Sequence, residues 1–236
     1  MEPDEYAAMD ATEERMWWYR ALHARLLHEL GGISGPVLDA GCGTGGLLAM
    51  LRAKRPELEL FGVEWSAIGA SRAAAKSGAM LVRGSVNELP FADAGFAAVI
   101  SADVLCHAAV QPQTALAELH RVLQPGGRLV LNMPAFAWLM SEHDRQVHNA
   151  RRVNAGALRV LLAAAGFRDI RTTYWNSLLL PLMVARRKLP ARQSRSDVAM
   201  FSPWLDVIFF AMTEIERRLP IRMPAGGSVL ATAIRV

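Results

Sequence analysis

The chain has 236 residues, of which 52% are hydrophobic and 20% are charged. This balance can fill a core and excludes an intrinsically disordered chain, and the length favours one α/β domain over two complex ones. The 26 basic and 22 acidic residues give a net charge of +4 without a long polybasic tract, so nucleic acid is not the expected partner.

The first pattern along the chain is a leading amphipathic helix at residues 13–30. Trp17 and Leu26 belong to an apolar series near helical spacing, and Gly31 ends the run. We expect residues 1–35 to form a helical lid on a single domain that spans the chain.

From residue 36 onward, short apolar runs alternate with helical patterns. Alternation of this kind is typical of an α/β fold with a doubly wound, mostly parallel sheet. The predicted strands are 36–40, 58–63, 80–83, 96–101, 128–132, 170–174 and 228–236. The predicted helices between them are 45–55, 67–76, 114–123 and 154–165.

The last two predicted strands are separated by a segment too long for a simple turn. Its apolar content predicts a helical insertion at 176–227. Within it, the apolar run 178–185 is followed by five cations: Arg186, Arg187, Lys188, Arg192 and Arg195. Segment 177–195 therefore suits peripheral contact with an anionic membrane, although a solvated helix face explains the charges equally well.

Several features predict a reduced, cytoplasmic protein, peripheral on the inner membrane face if segment 177–195 contacts lipid. Cys42 and Cys106 are the only cysteines, and the N-terminal residues are acidic where a signal peptide is basic and then apolar. The apolar stretch 198–212 is interrupted by Pro203 and is too short to span a bilayer.

A glycine-rich loop at residues 37–46, Val-Leu-Asp-Ala-Gly-Cys-Gly-Thr-Gly-Gly, follows the first predicted strand. This is where an open α/β sheet presents backbone N–H groups to a ligand, and the glycine spacing alone leaves a nicotinamide cofactor open. Asp39 favours a ligand with an ammonium group, such as S-adenosylmethionine (SAM), because a carboxylate repels a pyrophosphate. Glu64, about twenty residues after the loop, is placed to accept hydrogen bonds from ribose hydroxyls; capping of the following helix is the alternative.

The glycine loop together with Gly62-Val63-Glu64 resembles the SAM site of class I SAM-dependent methyltransferases. The runs 89–91, 96–107 and 118–127 resemble successive motifs of the small-molecule methyltransferase group. The flanking segments 14–20, 134–152 and 219–230 are similar to one poorly characterised branch of that group.

The resemblance implies a Rossmann-like seven-stranded sheet and in-line transfer of a methyl group from SAM to an O, N or C nucleophile, leaving S-adenosylhomocysteine. The acceptor it implies is a small-molecule or lipid-like metabolite. The implied cofactor-binding residues are Asp39, Gly41, Cys42, Gly43, Gly45, Glu64, Trp65, Ser85, Val86 and Ala102. This chain lacks the family's usual acid for the adenine amino group, so Ser85 or Asn87 would replace it, and Ala97 stands where an Asp is common.

Methyl transfer from a sulfonium requires exclusion of water, alignment of the nucleophile and, for some acceptors, removal of a proton. Histidine suits proton removal near neutral pH. The candidate catalytic residues are His107, His143 and His148, and the candidate acceptor-binding residues are Trp18, Tyr19 and Arg152. For His107, local hydrogen bonding at a helix start is an equally good interpretation.

Other functions are weighed against this one. No metal is expected, because His143, Asp144 and His148 do not share one helix face. A nucleic-acid methyltransferase is disfavoured, since residues 101–104 lack an Asn/Asp-Pro-Pro-aromatic motif. A non-catalytic SAM-binding partner module and a nicotinamide-dependent oxidoreductase remain alternatives, and the sequence does not identify the acceptor or the oligomeric state.

Overall fold

The computed structural model describes residues 3–188 and 202–236. It contains a seven-stranded sheet in the order β3-β2-β1-β4-β5-β7-β6. The strands are β1 Pro36–Ala40, β2 Glu59–Glu64, β3 Met80–Arg83, β4 Phe96–Ala102, β5 Leu123–Pro134, β6 Phe167–Trp175 and β7 Ser228–Arg235. The first five strands pair in parallel and β7 runs antiparallel to both neighbours, which confirms the predicted mostly parallel, doubly wound sheet.

Helices cover both faces of this sheet. They are α1 Pro3–Thr12, α2 Trp17–Leu30, α3 Gly46–Lys54, α4 Ala67–Ser77, α5 Pro112–Val122, α6 Glu142–Gln146, α7 Ala155–Ala164, α8 Leu180–Lys188 and α9 Pro203–Arg218. On one face, α5 and α7 bury leucines such as Leu116 and Leu158; on the other, α2 and α3 bury Leu26 and Leu48. Each buried leucine contributes roughly 1.5–3 kcal/mol of transfer free energy, so the helix layers on the two faces of the sheet stabilise the fold.

The predicted leading helix is present as α2 and ends at Leu30 as expected, but it begins at Trp17 instead of residue 13, and α1 before it was not predicted. The Glu13 side chain turns inward, where it accepts a hydrogen bond of 2.7 Å from the Thr44 hydroxyl. Helix α2 begins only at Trp17, whose backbone N–H donates to the Asp206 carboxylate at 2.7 Å. Two distant side-chain contacts, which no local periodicity reveals, therefore set the break between α1 and α2.

The predicted insertion before the last strand is helical in its described part. Helix α9 packs on α2, with the rings of Trp17 and Phe209 edge to face at 5.6 Å. Arg25 of α2 donates to the Thr213 carbonyl at 2.6 Å and lies 3.6 Å from the buried Glu216 carboxylate. Residues 189–201, which include the predicted membrane-facing Arg192 and Arg195, lie outside the described residues.

The sheet topology decides where a ligand can enter. The strand order reverses between β1 and β4, and a crevice forms beyond the carboxyl ends of strands at such a reversal. The glycine loop follows β1, Glu64 ends β2 and Asp103 follows β4, so all three reach this edge. Among residues 3–188 and 202–236, no helix has both the length and the hydropathy that crossing a bilayer requires.

Candidate active site

A cavity of about 1350 Å³ opens at the carboxyl edge of the sheet. It is bounded by the loops after β1, β2 and β4, by α1 and α2, by the segment 140–152 and by α8 and α9. Small-molecule pockets usually measure about 300–1000 Å³, so this cavity has room for a nucleotide-sized ligand and a second molecule beside it.

The glycine loop forms the floor of the cavity as a close backbone cradle. Backbone N–H groups of Gly41 and Cys42 both donate to the Val63 carbonyl, at 2.9 and 3.0 Å, and tie the loop to β2. Gly41 has a φ of +90°, and a Cβ there would overlap the Val104 side chain. Only glycine therefore lets the loop approach the segment after β4 this closely.

Of the ten predicted cofactor-binding residues, nine line the cavity, and Gly45 does not. Gly45 instead precedes α3 with a φ of +89°, and a Cβ there would lie 2.7 Å from the Cα of Ala73. Its role in the structure is the close approach of α4 to the loop.

Asp39, at the end of β1, lines the cavity as a buried carboxylate without a donor. No described residue donates a hydrogen bond to it, and burial, together with the negative charges of Glu64 and Glu13, raises its pKa to about 8. A buried carboxylate in this state is stabilised by a cation. An ammonium group at this position fits the residues present.

Glu64 accepts three hydrogen bonds at the end of β2. The Tyr6 hydroxyl and the Ser66 N–H donate to Oε1 at 2.7 and 2.9 Å, and the Gly43 N–H donates to Oε2 at 3.0 Å. The carboxylate thus holds the glycine loop, while one of its partners is a hydroxyl, the donor type that a ribose presents. Tyr6 was not among the predicted site residues, because the apolar spacing indicated a helix only from residue 13.

Glu13 also joins the N-terminal segment to the glycine loop. Besides Thr44, it contacts the Lys76 ammonium of α4, and a Cβ on Gly46 would lie 2.5 Å from its carboxylate. Burial raises the pKa of Glu13, whereas Lys76 and Thr44 oppose that shift. The sequence analysis did not single out Glu13 as a loop contact, because its partners lie 31 and 63 residues away.

The segment after β3 forms another wall of the cavity, with Trp65, Ser85, Val86 and Asn87. The Asn87 side chain is already used, since it donates to the Ala109 carbonyl at 3.1 Å and accepts from the Gln111 N–H at 2.9 Å. The Ser85 hydroxyl oxygen likewise accepts one backbone hydrogen bond, from the Asn87 N–H at 3.1 Å. Each of the two predicted substitutes for the missing acid therefore keeps one oxygen lone pair with which to accept from an adenine amino group.

The predicted catalytic histidines are placed differently from one another. His107 and His148 both line the cavity, and burial lowers the pKa of His107. His143 lies in α6, and its side chain is outside the described part of the structure. A further histidine, His23 of α2, also lines the cavity; burial lowers its pKa to about 4, so it is neutral at pH 7.

Arg152, predicted to bind the acceptor, is held by a buried ion pair. Its guanidinium donates to both oxygens of Asp144, at 2.8 and 2.9 Å through Nη2, and to the Ala135 carbonyl at 3.1 Å. The side chains of Arg152 and Asp144 are only 7% and 2% exposed. An acceptor contact at Arg152 would have to share donors that this pair already uses.

Asp103 is a site residue that the sequence analysis did not single out. It follows β4 with a φ of +54°, and its carboxylate accepts a hydrogen bond of 2.9 Å from the Asn132 side chain. Asn132 in turn accepts one of 2.8 Å from the Trp175 indole N–H. Asp103 could have been predicted from its position, because it is an acid directly after a predicted strand, at the edge of the sheet where ligands bind.

Apolar side chains line the part of the cavity away from the glycine loop. Trp18 and Tyr19, the predicted lid residues, both line it, and their rings meet edge to face at 5.0 Å. Leu179, Met183 and Phe209 from the insertion complete this wall. Within the described chain, no three His, Cys, Asp or Glu side chains form a cluster that could hold a metal ion.

Comparisons with known proteins agree with this geometry. Residues 38–131 match a family described as a methyltransferase domain. The O-methyltransferase cnsE of Penicillium expansum is 32% identical over 171 residues, which cover 63% of this chain and 59% of that protein. The putative methyltransferase ECU09_1500 of Encephalitozoon cuniculi is 29% identical over 168 residues, which cover 70% of this chain and 72% of that protein. The chain thus spans about 59% of the length of the first relative.

Two solved structures resemble nearly the whole chain. A putative methyltransferase in complex with the Haloferax volcanii Trm112 methyltransferase activator has a TM-score of 0.68 at 21% identity, and the match covers 98% of this chain and 95% of that one. A SAM-dependent methyltransferase from Thermotoga maritima has a TM-score of 0.66 at 18% identity, covering 99% and 95%. At these identities the likeness establishes the fold.

Proposed function

We propose that the chain, whose residues 38–131 match a methyltransferase-domain family, is a class I SAM-dependent methyltransferase that transfers the methyl group of SAM to an O, N or C nucleophile of a small-molecule or lipid-like metabolite. The observation that carries the proposal is the buried carboxyl group of Asp39, which lines the cavity and receives no hydrogen bond from any described residue. It faces a glycine cradle in a cavity that has room for two molecules. The ammonium group of a methionine tail satisfies that carboxylate, whereas the pyrophosphate of a nicotinamide cofactor is repelled by it.

The residues that would hold SAM lie in order along the carboxyl edge. The loop of Gly41, Cys42 and Gly43 would cradle the methionine part, with Ala102 opposite it, and Glu64 would accept from the ribose. Trp65, Ser85 and Val86 would face the adenine. When bound, SAM supplies a methyl group that is already activated by its sulfonium.

The chain's own residues then exclude water and orient the acceptor. Trp18 stacks on the buried Trp175 at 6.2 Å, and Tyr19 packs against Trp18, contacts that support the proposed role of both rings as a lid over the cavity. Burial raises the pKa of Tyr19, so its hydroxyl stays protonated and can donate to an acceptor or cofactor oxygen. His107 and His148 face the same space and stay predicted proton-handling groups, as does His143 of α6.

The apolar wall supports a lipid-like acceptor. Leu179, Met183 and Phe209 line it, and Leu182 lines the cavity while remaining 53% exposed, as expected at the mouth of a route to a surface. Exposed apolar residues continue along α9, with Trp204 62% and Val207 63% exposed. We propose that this surface rests peripherally on anionic lipid, as the sequence pattern of segment 177–195 also predicts.

The experiment that tests the methyltransferase proposal has a binding stage and a transfer stage. Calorimetry should show SAM and S-adenosylhomocysteine binding, no binding of NADH, and weaker binding by Asp39→Asn. Labelled methyl from SAM should then enter the organic or aqueous extract of the source cells and not the nucleic-acid fraction. Absence of SAM binding would overturn the proposal, and binding without any transfer would support the non-catalytic module instead.

A further inference from the structure

Asp103 lies where the chain leaves β4, in a left-handed backbone conformation. Its φ of +54° belongs to the left-handed region, which costs a non-glycine residue free energy and which Asp and Asn tolerate better than most. Its own N–H donates to the Asn132 carbonyl at 2.9 Å and fixes the turn. Outliers of this kind concentrate at active sites, where they aim a side chain.

The carboxylate of Asp103 is held from one side by a hydrogen-bonded relay. Asn132 is fully buried, and Trp175 is 2% exposed. Because the Trp175 indole can only donate, it fixes the Asn132 amide with its oxygen toward Trp175 and its NH₂ toward Asp103. The Asn132 NH₂ group therefore orients one oxygen of Asp103, and because it is only a donor it cannot itself accept the proton that Asp103 would take.

The other oxygen of Asp103 has no hydrogen-bond partner among residues 3–188 and 202–236. Asp103 lines the cavity, and its neighbour Val104 lies against Gly41 of the glycine cradle. The unpaired oxygen is thus available beside the position of the cofactor. Neither Asp39 nor Glu64 suits the same role, because the first would face the ammonium and the second holds the glycine loop.

On this geometry, and resting on the proposed methyltransferase function, we propose that Asp103 is the general base that removes a proton from a hydroxyl or amine acceptor. The acceptor's lone pair forms the bond to the methyl carbon, and the sulfur–methyl bond breaks with its electrons left on sulfur. The acceptor's proton moves to the free oxygen of Asp103, which later returns it to water. A carboxylate acceptor, already ionised at neutral pH, would have no use for this group.

The surroundings of Asp103 keep it ionised at neutral pH yet more basic than an exposed carboxylate. Burial raises its pKa to about 6, Asn132 and Arg152 lower it, and Asp144 raises it. Tyr19 and Cys106 also face it; burial raises both of their pKa values, so neither carries charge. Arg152 forms its ion pair with Asp144, so the Asp103 carboxylate is not neutralised by that guanidinium and can accept a proton from the acceptor.

The test uses Asp103→Asn, which keeps the size, tolerates the positive φ and still accepts from Asn132, but cannot take a proton. Transfer of labelled methyl into the cell extract should fall about 10²- to 10⁴-fold, while calorimetric affinity for S-adenosylhomocysteine stays within about twofold. The wild-type rate should rise with pH through about 6, and the residual rate of the variant should not. Asp169→Asn is the matched control, because Asp169 also has a positive φ of 51° but is exposed and outside the cavity.

A second readout does not depend on turnover. In protein labelled with ¹³C at the aspartate carboxyl carbons, one signal should titrate near pH 6 and vanish in Asp103→Asn. If that variant fails to fold, Asp103→Gly removes the carboxylate while relieving the backbone. An Asp103 signal that titrates near pH 4, or a variant that transfers methyl at the wild-type rate, would overturn the inference. Failure of the wild-type protein to bind SAM would instead overturn the proposed function.

Discussion

The hydroxyl of Tyr6 donates a hydrogen bond of 2.7 Å to the carboxylate of Glu64, 58 residues away. This contact places α1 beside Glu64, where the hydroxyl uses the carboxylate that we propose a ribose would use. Burial and the Glu64 charge raise the pKa of Tyr6, so the hydroxyl remains a donor throughout the physiological range. On the proposed role of Glu64, SAM binding would exchange one hydroxyl donor for another.

Replacing Tyr6 by Phe should tighten SAM binding about two- to tenfold. The wild type loses the Tyr6 hydrogen bond when the ribose arrives, whereas the variant gains a bond without losing one, a difference of about 0.5–1.5 kcal/mol. Calorimetry with SAM measures it. Weaker binding by Tyr6→Phe would mean that the hydroxyl holds the cofactor rather than competing with it.

Replacing Glu64 by Ala should weaken SAM binding by about 1.5–3 kcal/mol, since it removes a charged acceptor of ribose hydroxyls and releases Gly43. Glu59→Ala, at the exposed start of the same strand, is the control and should leave the affinity unchanged. Equal affinities in the two variants would remove Glu64 from the predicted cofactor site.

Replacing Gly45 by Ala should destabilise the fold by about 2–4 kcal/mol. The new Cβ meets the Ala73 backbone at 2.7 Å, and the overlap adds to the cost of a positive φ. Gly78→Ala has a similar φ of +60° with open space around its Cβ, so it should cost only about 1–2 kcal/mol. Urea unfolding of both variants measures the difference, and equal losses would contradict the α3–α4 contact.

Replacing Arg152 by Met should lower the unfolding free energy by about 3–5 kcal/mol at pH 7, because it leaves Asp144 buried without its cation. The exposed pair of Arg145 and Glu142 provides the control, and Arg145→Met should cost at most about 1 kcal/mol. Similar stability losses in both variants would mean that the Arg152 pair is solvated.

The ion pair of Arg152 and Asp144 should make the unfolding free energy depend on pH in the acidic range. Burial alone would raise the pKa of Asp144, but Arg152 and Ser141 outweigh it, so the folded-state pKa is lowered. The stabilisation is then complete above the unfolded-state value of about 4 and is lost as the pH falls through the folded value. Asp144→Asn should therefore be less stable than the wild type at pH 6, and the gap should narrow below pH 4.

Replacing Val207 by Asp should reduce binding to vesicles of phosphatidylcholine and phosphatidylglycerol, because it puts a negative charge on the exposed apolar face of α9. Val160→Asp makes the same change at a valine that is 70% exposed on α7, and it should have no effect. Co-sedimentation measures both. A wild-type protein that stays entirely in the supernatant would contradict the proposed lipid contact.

Much of the fold could be predicted because its signals are local. All seven strands were predicted, six of them within three residues at each end, since short apolar runs bounded by glycine and proline identify buried strands; β5 begins at Leu123, five residues before its predicted start. The break before Trp17 was not predictable, because the carboxylate of Asp206, 189 residues later, caps that helix. His107, His143 and His148 were predicted from the intrinsic pKa of histidine. Residue type does not show which carboxylates the fold leaves without a hydrogen-bond partner, so Asp103 was not predicted.

The sequence by itself determined the sheet, the glycine loop and the acids that follow β1 and β2, because strand periodicity and glycine spacing are properties of neighbouring residues. Only the tertiary structure decided that Tyr6 meets Glu64, that Asp144 neutralises Arg152 and that one oxygen of Asp103 has no hydrogen-bond partner within the described part of the chain. Hydrogen bonds and burial join residues from distant parts of the chain, and they set which carboxylates are charged, paired or available. Those states, rather than residue type, distinguish a structural acid from a candidate base.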